Sequence, residues 1–275
     1  MSFTECLHLI AQSARSRRLS IWTGSGISLN APASLPLANE LKFCILRKIC
    51  DNSSLHELYE NRLAEGKDLG EKIKDYPLEA VIELVSRHYA ILEHIAQVFR
   101  GGSPNKNHIL IAKLMRDGII RQVLTTNLDL LIERALEKNL VRGVDFEVYM
   151  TEEGFRVFGS GSRPPTIIKI HGSAENVSSM RVTLGLVASR ALSEARAKLL
   201  ESFLDSTEGD VLVLGYGCKD HFDINPVLMR ATSKKRIFYV DHCPGTKEVG
   251  ALPEPFRNFA GFSIRCDTDD VIGYL

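Results

Sequence analysis

The chain has 275 residues but no apolar run approaching the length needed to cross a bilayer, and its first residues lack the apolar stretch of a secretory signal. No membrane partner is expected, and the reading is a cytoplasmic protein. An excess of charge is missing too: 34 Lys and Arg stand against 34 Asp and Glu. No overall field therefore favours DNA, RNA or an anionic lipid surface. The short basic run Arg15-Ser16-Arg17-Arg18 reads as a solvated helix end, where cations suit the dipole. Cysteine occurs six times but never as Cys-x-x-Cys, so a structural zinc module has no visible ligands. Thiols set in apolar stretches such as Phe43-Cys44-Ile45-Leu46 suit buried, reduced cysteines. Internal repeats and low-complexity tracts are also lacking.

What is present is alternation. Phe3, Leu7, Ile10, Ala11 and Ala14 fall at helical spacing, and Leu19–Thr23 is a short apolar strand running into Gly24-Ser25-Gly26. Helical patterning returns at Leu37–Ile49 and continues from about 54 to 100, with an exposed connection over 65–75. Further on, strands are expected at Ile119–Leu124, Phe146–Met150, Thr166–Ile170, Val211–Leu214, Arg236–Val240 and Phe262–Arg265. Helices are expected at Leu128–Leu140 and at 186–204. Apolar strands separated by helices argue for an α/β fold of Rossmann-like, doubly wound type. The expectation is one domain over residues 1–275, with a mainly parallel sheet of about six strands. A small helical subdomain is inserted at about 40–105.

In such a sheet, ligands bind at the carboxyl ends of the strands. The residues just past the strands are Gly24-Ser25-Gly26-Ile27-Ser28, Thr125-Thr126-Asn127-Leu128-Asp129, His171-Gly172-Ser173, Gly215-Tyr216-Gly217 and Asp241-His242. They are small, polar or ionisable, and all are predicted on one rim. The glycine turn alone is ambiguous, because the dinucleotide fingerprint wants a third glycine where Leu29 stands. A tight turn that needs glycine for its backbone explains it equally well.

Together these segments resemble the sirtuin family, in particular the sirtuin-like NAD-hydrolase branch of bacterial antiviral defence. Gly24-Ser25-Gly26-Ile27-Ser28 is similar to its phosphate loop, and Leu35-Pro36 with Glu40-Leu41 to its cofactor loop and next helix. Pro104-Asn105 with His108 and Leu114 resembles the helix before the central strand. Thr125-Thr126-Asn127-Leu128-Asp129 and His171-Gly172 resemble the two catalytic segments. Gly215-Tyr216-Gly217 with Asp220 and Asp223-Ile224 is similar to the branch's Gly-Tyr-Ser-x-x-Asp element, and Arg265–Asp270 to the terminal adenine loop. The resemblance spans roughly residues 19–275. It departs in three places: the zinc-binding cysteines of sirtuin deacylases are missing from 174–210, Leu37-Ala38-Asn39 comes after Pro36 where the family has Asp-Phe-Arg, and Asp241 stands where many sirtuins place an asparagine for the adenosine ribose. The resemblance implies NAD as the substrate and no zinc.

The same resemblance implies roles for individual residues. Asn127 and His171 are the expected catalytic pair, Asn127 positioning water and ribose and His171 accepting a proton. Gly24, Ser25, Gly26, Ser28, Pro36, Thr126, Asp129, Gly215, Tyr216 and Asp241 are expected to hold the dinucleotide, and no residue is assigned to a metal. Simpler roles compete. Asn127 suits the N-cap of a helix starting at Leu128, and Asp129 suits the same helix dipole. Tyr216 suits a wall, Asp220 and Asp223 suit turns, and His108 suits packing on one helix face. A Cys218 nucleophile with His221 as base has no assured geometry. The implied reaction is hydrolysis of NAD to nicotinamide and ADP-ribose. Protein deacylation, ADP-ribosyl transfer and a non-catalytic NAD or ADP-ribose sensor are the alternatives. Family habits imply a homo-oligomer and a protein partner such as a helicase-like ATPase, a nuclease or an Argonaute-type protein.

Overall fold

Strand β1 (Leu19–Thr23) divides its side chains between two cores, which fixes its place at the centre of the sheet. Leu19 and Ile21 join one cluster of buried apolar residues, and Trp22 joins another on the opposite face. Strand β5 (Asp210–Leu214) does the same, Leu212 and Leu214 against Val211 and Val213. A strand buried on both faces carries apolar side chains on both, interrupted here only by Ser20 and Thr23 in β1 and by Asp210 at the start of β5. The computed structural model describes residues 1–51, 76–86, 91–158, 164–183, 193–205, 209–231 and 235–275.

The remaining strands are β2 (Gln122–Thr125), β3 (Glu147–Tyr149), β4 (Thr166–Lys169), β6 (Arg236–His242), β7 (Glu248–Gly250) and β8 (Ala260–Cys266). They form one eight-stranded sheet in the order β3-β4-β2-β1-β5-β6-β8-β7. Every pairing is parallel except that of β7 with β8. All seven segments read as strands pair in the sheet, and the one addition to them is β7, at one edge. Strand β7 has three residues, Glu248-Val249-Gly250, and no apolar run to announce it. From β1 the chain winds through β2 towards β4 and β3, then returns to place β5 on the other side of β1. That reversal puts a topological switch point between β1 and β5.

One face is covered by α1 (Phe3–Arg15), α5 (Lys106–Arg116), α6 (Leu131–Leu136) and α10 (Thr268–Ile272). The other is covered by α7 (Glu152–Val157), α8 (Glu194–Asp205) and α9 (Ile224–Arg230). A capping box starts α1: Glu5 N–H donates to Ser2 Oγ at 3.3 Å, and Ser2 N–H donates to Glu5 Oε2 at 2.6 Å. Three further helices, α2 (Ala38–Asp51), α3 (Leu78–Ser86) and α4 (Ile91–Phe99), lie between β1 and α5 in sequence. Leu41, Ile45, Ile82, Val85 and Ile95 of these helices pack against Leu128, Ala174, Met180 and Val182, which sit beyond the ends of β2 and β4. The expected connection over 65–75 lies outside the described residues.

Helix α6 starts at Leu131, three residues later than its sequence suggests, and the reason is tertiary. The Leu128 carbonyl accepts from Ala174 N at 2.8 Å, the Leu131 amide donates to Asp129 Oδ1 at 3.1 Å, and Lys169 Nζ donates to the Asp129 carbonyl. Competing bonds thus hold Leu128–Leu130 out of the helix. Lys169 also pairs with Glu133 of α6 at 2.7 Å, both side chains being almost wholly buried. Burial drives the Glu133 carboxyl up against the opposing pull of Lys169. Replacing one partner strands the other charge in the core. Lys169→Met is expected to cost about 3–5 kcal/mol in urea unfolding, and adding Glu133→Leu is expected to recover much of that loss.

Candidate active site

A cavity of about 430 Å³ opens at the carboxyl end of the sheet, between the strand ends and helices α2, α3 and α4. Ser25, Ser28 and Pro36 line it after β1, Thr126, Asn127 and Asp129 after β2, His171 after β4 and Tyr216 after β5. The site glycines contribute differently. Gly24 and Gly26 donate their amides to Leu214 and Gly215 carbonyls, each at 2.9 Å. A Cβ on Gly24 would stand 2.6 Å from the Gly215 carbonyl oxygen, and one on Gly26 would stand 2.8 Å from Gly215 Cα. Gly24, Gly26 and Gly215 do not line the cavity; their close approach brings Ser25, Ser28 and Tyr216 to it. Asp241 also lies off the lining, in an exposed ion pair with Arg265 at 3.3 Å.

On the β2 side, Asn127 does not cap α6. Its amide N–H donates to Thr125 Oγ1 at 3.0 Å, and its side-chain Nδ2 donates to Ser28 Oγ at 3.4 Å. Its Oδ1 is buried and has no hydrogen-bond partner among the described residues. A buried acceptor left open costs free energy unless a ligand or water meets it. Ser28 in turn donates to Asp129 Oδ2 at 2.8 Å and lies 3.1 Å from His108 Nε2.

On the β4 side, His171 Nε2 meets Asp223 Oδ2 at 3.1 Å. Burial favours the neutral imidazole, but the Asp223 carboxylate outweighs it, and Asp220 adds to that pull; the His171 pKa is raised to about 9. Asp223 is held low despite its burial, chiefly by the charge of His171, and its Oδ1 accepts from Ile224 N at 2.7 Å. Desolvation pushes Asp220 up, with the Asp223 charge adding to the rise and His171 opposing it. Glu79 of α3 also lines the cavity; burial raises its carboxyl, and it feels the charges of Asp220, His171 and Asp223.

Backbone constraints set the direction of His171. Gly172 has φ +86, and a Cβ there would fall 2.2 Å from the Ser179 carbonyl oxygen. Arg196, buried on α8, donates to the Ile170 carbonyl and, at 3.3 Å, to the Ser179 carbonyl, while its Nε pairs with Glu152 at 2.7 Å. For the Cys218–His221 idea, burial drives the thiol up to about 11, away from the thiolate a nucleophile needs. From the sequence, Asp220 and Asp223 had either a place in the Gly-Tyr-Ser-x-x-Asp-like element or a turn, and Glu79 did not stand out. Their partner His171 is remote in sequence, so only the fold pairs them.

His171 Nε2 and the carboxylates of Asp220 and Asp223 have ligand atoms within 4.8 Å of one another, the one such grouping among the described residues. Cys6, Cys44, Cys218, Cys243 and Cys266 are free thiols and none belongs to it. The described residues do not assemble the four-thiolate set of a structural zinc. No described helix is long and apolar enough to cross a membrane.

Residues 121–245 match the family described as SIR2-like domain. No curated protein matches the chain. Among solved structures, one described as the structural basis for the mechanism and regulation of Sir2 enzymes is 18% identical, with 86% of each chain covered and a TM-score of 0.44. A Sir2 variant with a deacetylated peptide and 3'-O-acetyl ADP ribose is 17% identical over 100% of this chain and 96% of that one, at a TM-score of 0.46. A Sir2 homolog–NAD complex is 16% identical over 92% and 87% of the two chains, at a TM-score of 0.43. The matched segment runs from β2 to just past β6, so Asn127, Asp129, His171, Tyr216 and Asp223 all lie in the part of the chain that is similar to a SIR2-like domain.

Proposed function

We propose that the chain is an NAD glycohydrolase that cleaves the nicotinamide–ribose bond, with water as the acceptor. The observation that carries this reading is the meeting of Asn127 and His171 on the wall of one cavity, Asn127 with an unpartnered side-chain acceptor and His171 backed by Asp223. Cleavage breaks the bond between the ribose C1' and the nicotinamide nitrogen through an oxocarbenium-like transition state. Nicotinamide leaves as a neutral base and needs no acid. Water supplies the new C1'–O bond and releases one proton, giving nicotinamide, ADP-ribose and H⁺.

Each side chain then has a task. Asn127 Oδ1 accepts from the attacking water or a ribose hydroxyl and orients it. Asp129, Asp220 and Glu79 line the cavity with carboxyl groups, and Asp223 stands against His171; those that are ionised favour a cationic pyridinium substrate and developing positive charge at the ribose. Deprotonated His171 takes the proton from the water, and Asp223 holds the ring in place and stabilises the imidazolium that forms. Pro36, Leu41 and Phe99 close the apolar side of the cavity and limit bulk water. Ser25, Thr126 and Tyr216 supply further contacts for the dinucleotide. A role in antiviral defence by NAD depletion, in a homo-oligomer or beside an ATPase, nuclease or Argonaute-type partner, extends the same reading through the family resemblance.

The primary test incubates the chain with NAD, with no acyl-peptide, and tracks products by mass. Nicotinamide and ADP-ribose are expected in equal amounts, and Asn127→Ala or His171→Ala is expected to lower kcat by about 10²–10⁴-fold. Both variants cleaving NAD at the parent rate would sink the assignment. NAD bound calorimetrically but unchanged after long incubation would instead mark a sensor.

A pH profile tests the charge state of His171. With its pKa near 9 the imidazole is protonated at neutral pH, so the base form gains as pH rises. After subtraction of spontaneous alkaline hydrolysis, kcat/KM is expected to climb about tenfold per pH unit towards pH 9 and then level. Asp223→Asn removes the charge that holds the proton, so its limb moves to lower pH while its plateau falls. A profile flat from neutrality to pH 10 would exclude His171 as the base.

A further inference from the structure

His108 lies at the start of α5, wholly buried, and its hydrogen bonds define its proton. The Asn105 amide N–H donates to His108 Nδ1 at 3.2 Å, so Nδ1 carries a lone pair. A neutral imidazole then has its hydrogen on Nε2, and Nε2 sits 3.1 Å from Ser28 Oγ. Burial pushes the His108 pKa down to about 4, with Asp129 pulling the other way, which keeps the ring neutral.

Ser28 is thereby given a fixed polarity. Its oxygen accepts from His108 Nε2, and its single hydrogen goes to Asp129 Oδ2 at 2.8 Å. No proton is left to offer Asn127, so the Asn127 side chain turns its Nδ2 towards Ser28, at 3.4 Å, and leaves Oδ1 without a partner among the described residues. The capping box at Asn105 by itself needs only an acceptor at position 108, and glutamate would serve. Glutamate, however, would set a second negative charge near Asp129 and supply no donor to Ser28. A side chain that accepts on one edge and donates on the other meets both demands.

We propose that His108 is a positioning residue of the NAD-cleaving site: through Ser28 it holds the Asn127 amide with its carbonyl oxygen towards the substrate. This rests on the glycohydrolase reading for its kinetic consequence but not for its hydrogen-bond geometry. Two glutamine atoms can replace the two ring nitrogens, Oε1 accepting from Asn105 and Nε2 donating to Ser28. Leucine replaces neither.

The test compares the parent with His108→Leu and His108→Gln in steady-state NAD cleavage, and repeats His108→Leu in an Asn127→Ala background. His108→Leu is expected to lose about 10²-fold in kcat with KM changed less than about threefold. His108→Gln is expected to regain most of that loss, and His108→Leu is expected to add nothing once Asn127 is alanine. Full activity in His108→Leu, a failure of glutamine to rescue, or an additive loss in the double variant would each overturn the proposal. Nitrogen-15 spectra of the parent ring add a readout independent of activity. The proton is expected on Nε2, with no titration above about pH 5; a proton on Nδ1 overturns the proposal even in a variant-free experiment. Should the parent fail to cleave NAD, the glycohydrolase reading falls, while the ring tautomer still decides the geometry.

Discussion

The Gly26 amide donates to the Gly215 carbonyl, and neither turn leaves room for a Cβ between them. This backbone contact joins β1 to β5 at the point where the winding of the sheet reverses. Because the two turns interlock, the crevice opens beside them, towards β2 and β4. Ser25 and Ser28 on one turn and Tyr216 on the other are thereby carried to the cavity wall. Any larger residue at 24, 26 or 215 would separate the strand ends and the side chains that depend on them.

Buried cations hold the neighbouring loops. Lys169 ties the Asp129 carbonyl and Glu133 together, and Arg196 ties the backbone around His171 to Glu152. Such groups are expensive to desolvate, and a packed apolar substitute is often no less stable. What they contribute is position: among the described residues, the loop after β2 runs to Leu130 without a helix or strand, and the loop after β4 has only the 3-10 turn Val177–Ser179. The Ala174–Leu128 hydrogen bond then locks one loop to the other. Rigid supports of this kind keep a reacting geometry from drifting.

Two histidines in this region differ in charge for reasons of environment alone. His108 is surrounded by groups that need a neutral donor–acceptor ring, and burial lowers its pKa to about 4. His171 faces the carboxylate of Asp223 with Asp220 nearby, and its pKa rises to about 9 in spite of burial. A side chain with one ordinary pKa thus serves as a fixed hydrogen-bond element in one place and a charge carrier in the other.

The alternation of apolar strands and helices, and the small polar residues after each strand, were legible from the chain alone. Parallel strands buried on both faces must be apolar, and their carboxyl ends must face one rim, so Ser28, Asn127, Asp129, His171 and Tyr216 were recognisable there. Local pattern failed where competing tertiary bonds decide the outcome. It placed α6 at Leu128 because propensity does not register the bonds from Ala174 and Lys169. It left Asp223 unpaired because nothing near it names His171, 52 residues away. The sequence by itself determined the layers, the rim and the residue types that reach it, since these come from periodicity. Only the tertiary structure decided which carboxylate faces which histidine, and which end of the Asn127 amide stays open, because those depend on distances that folding alone creates.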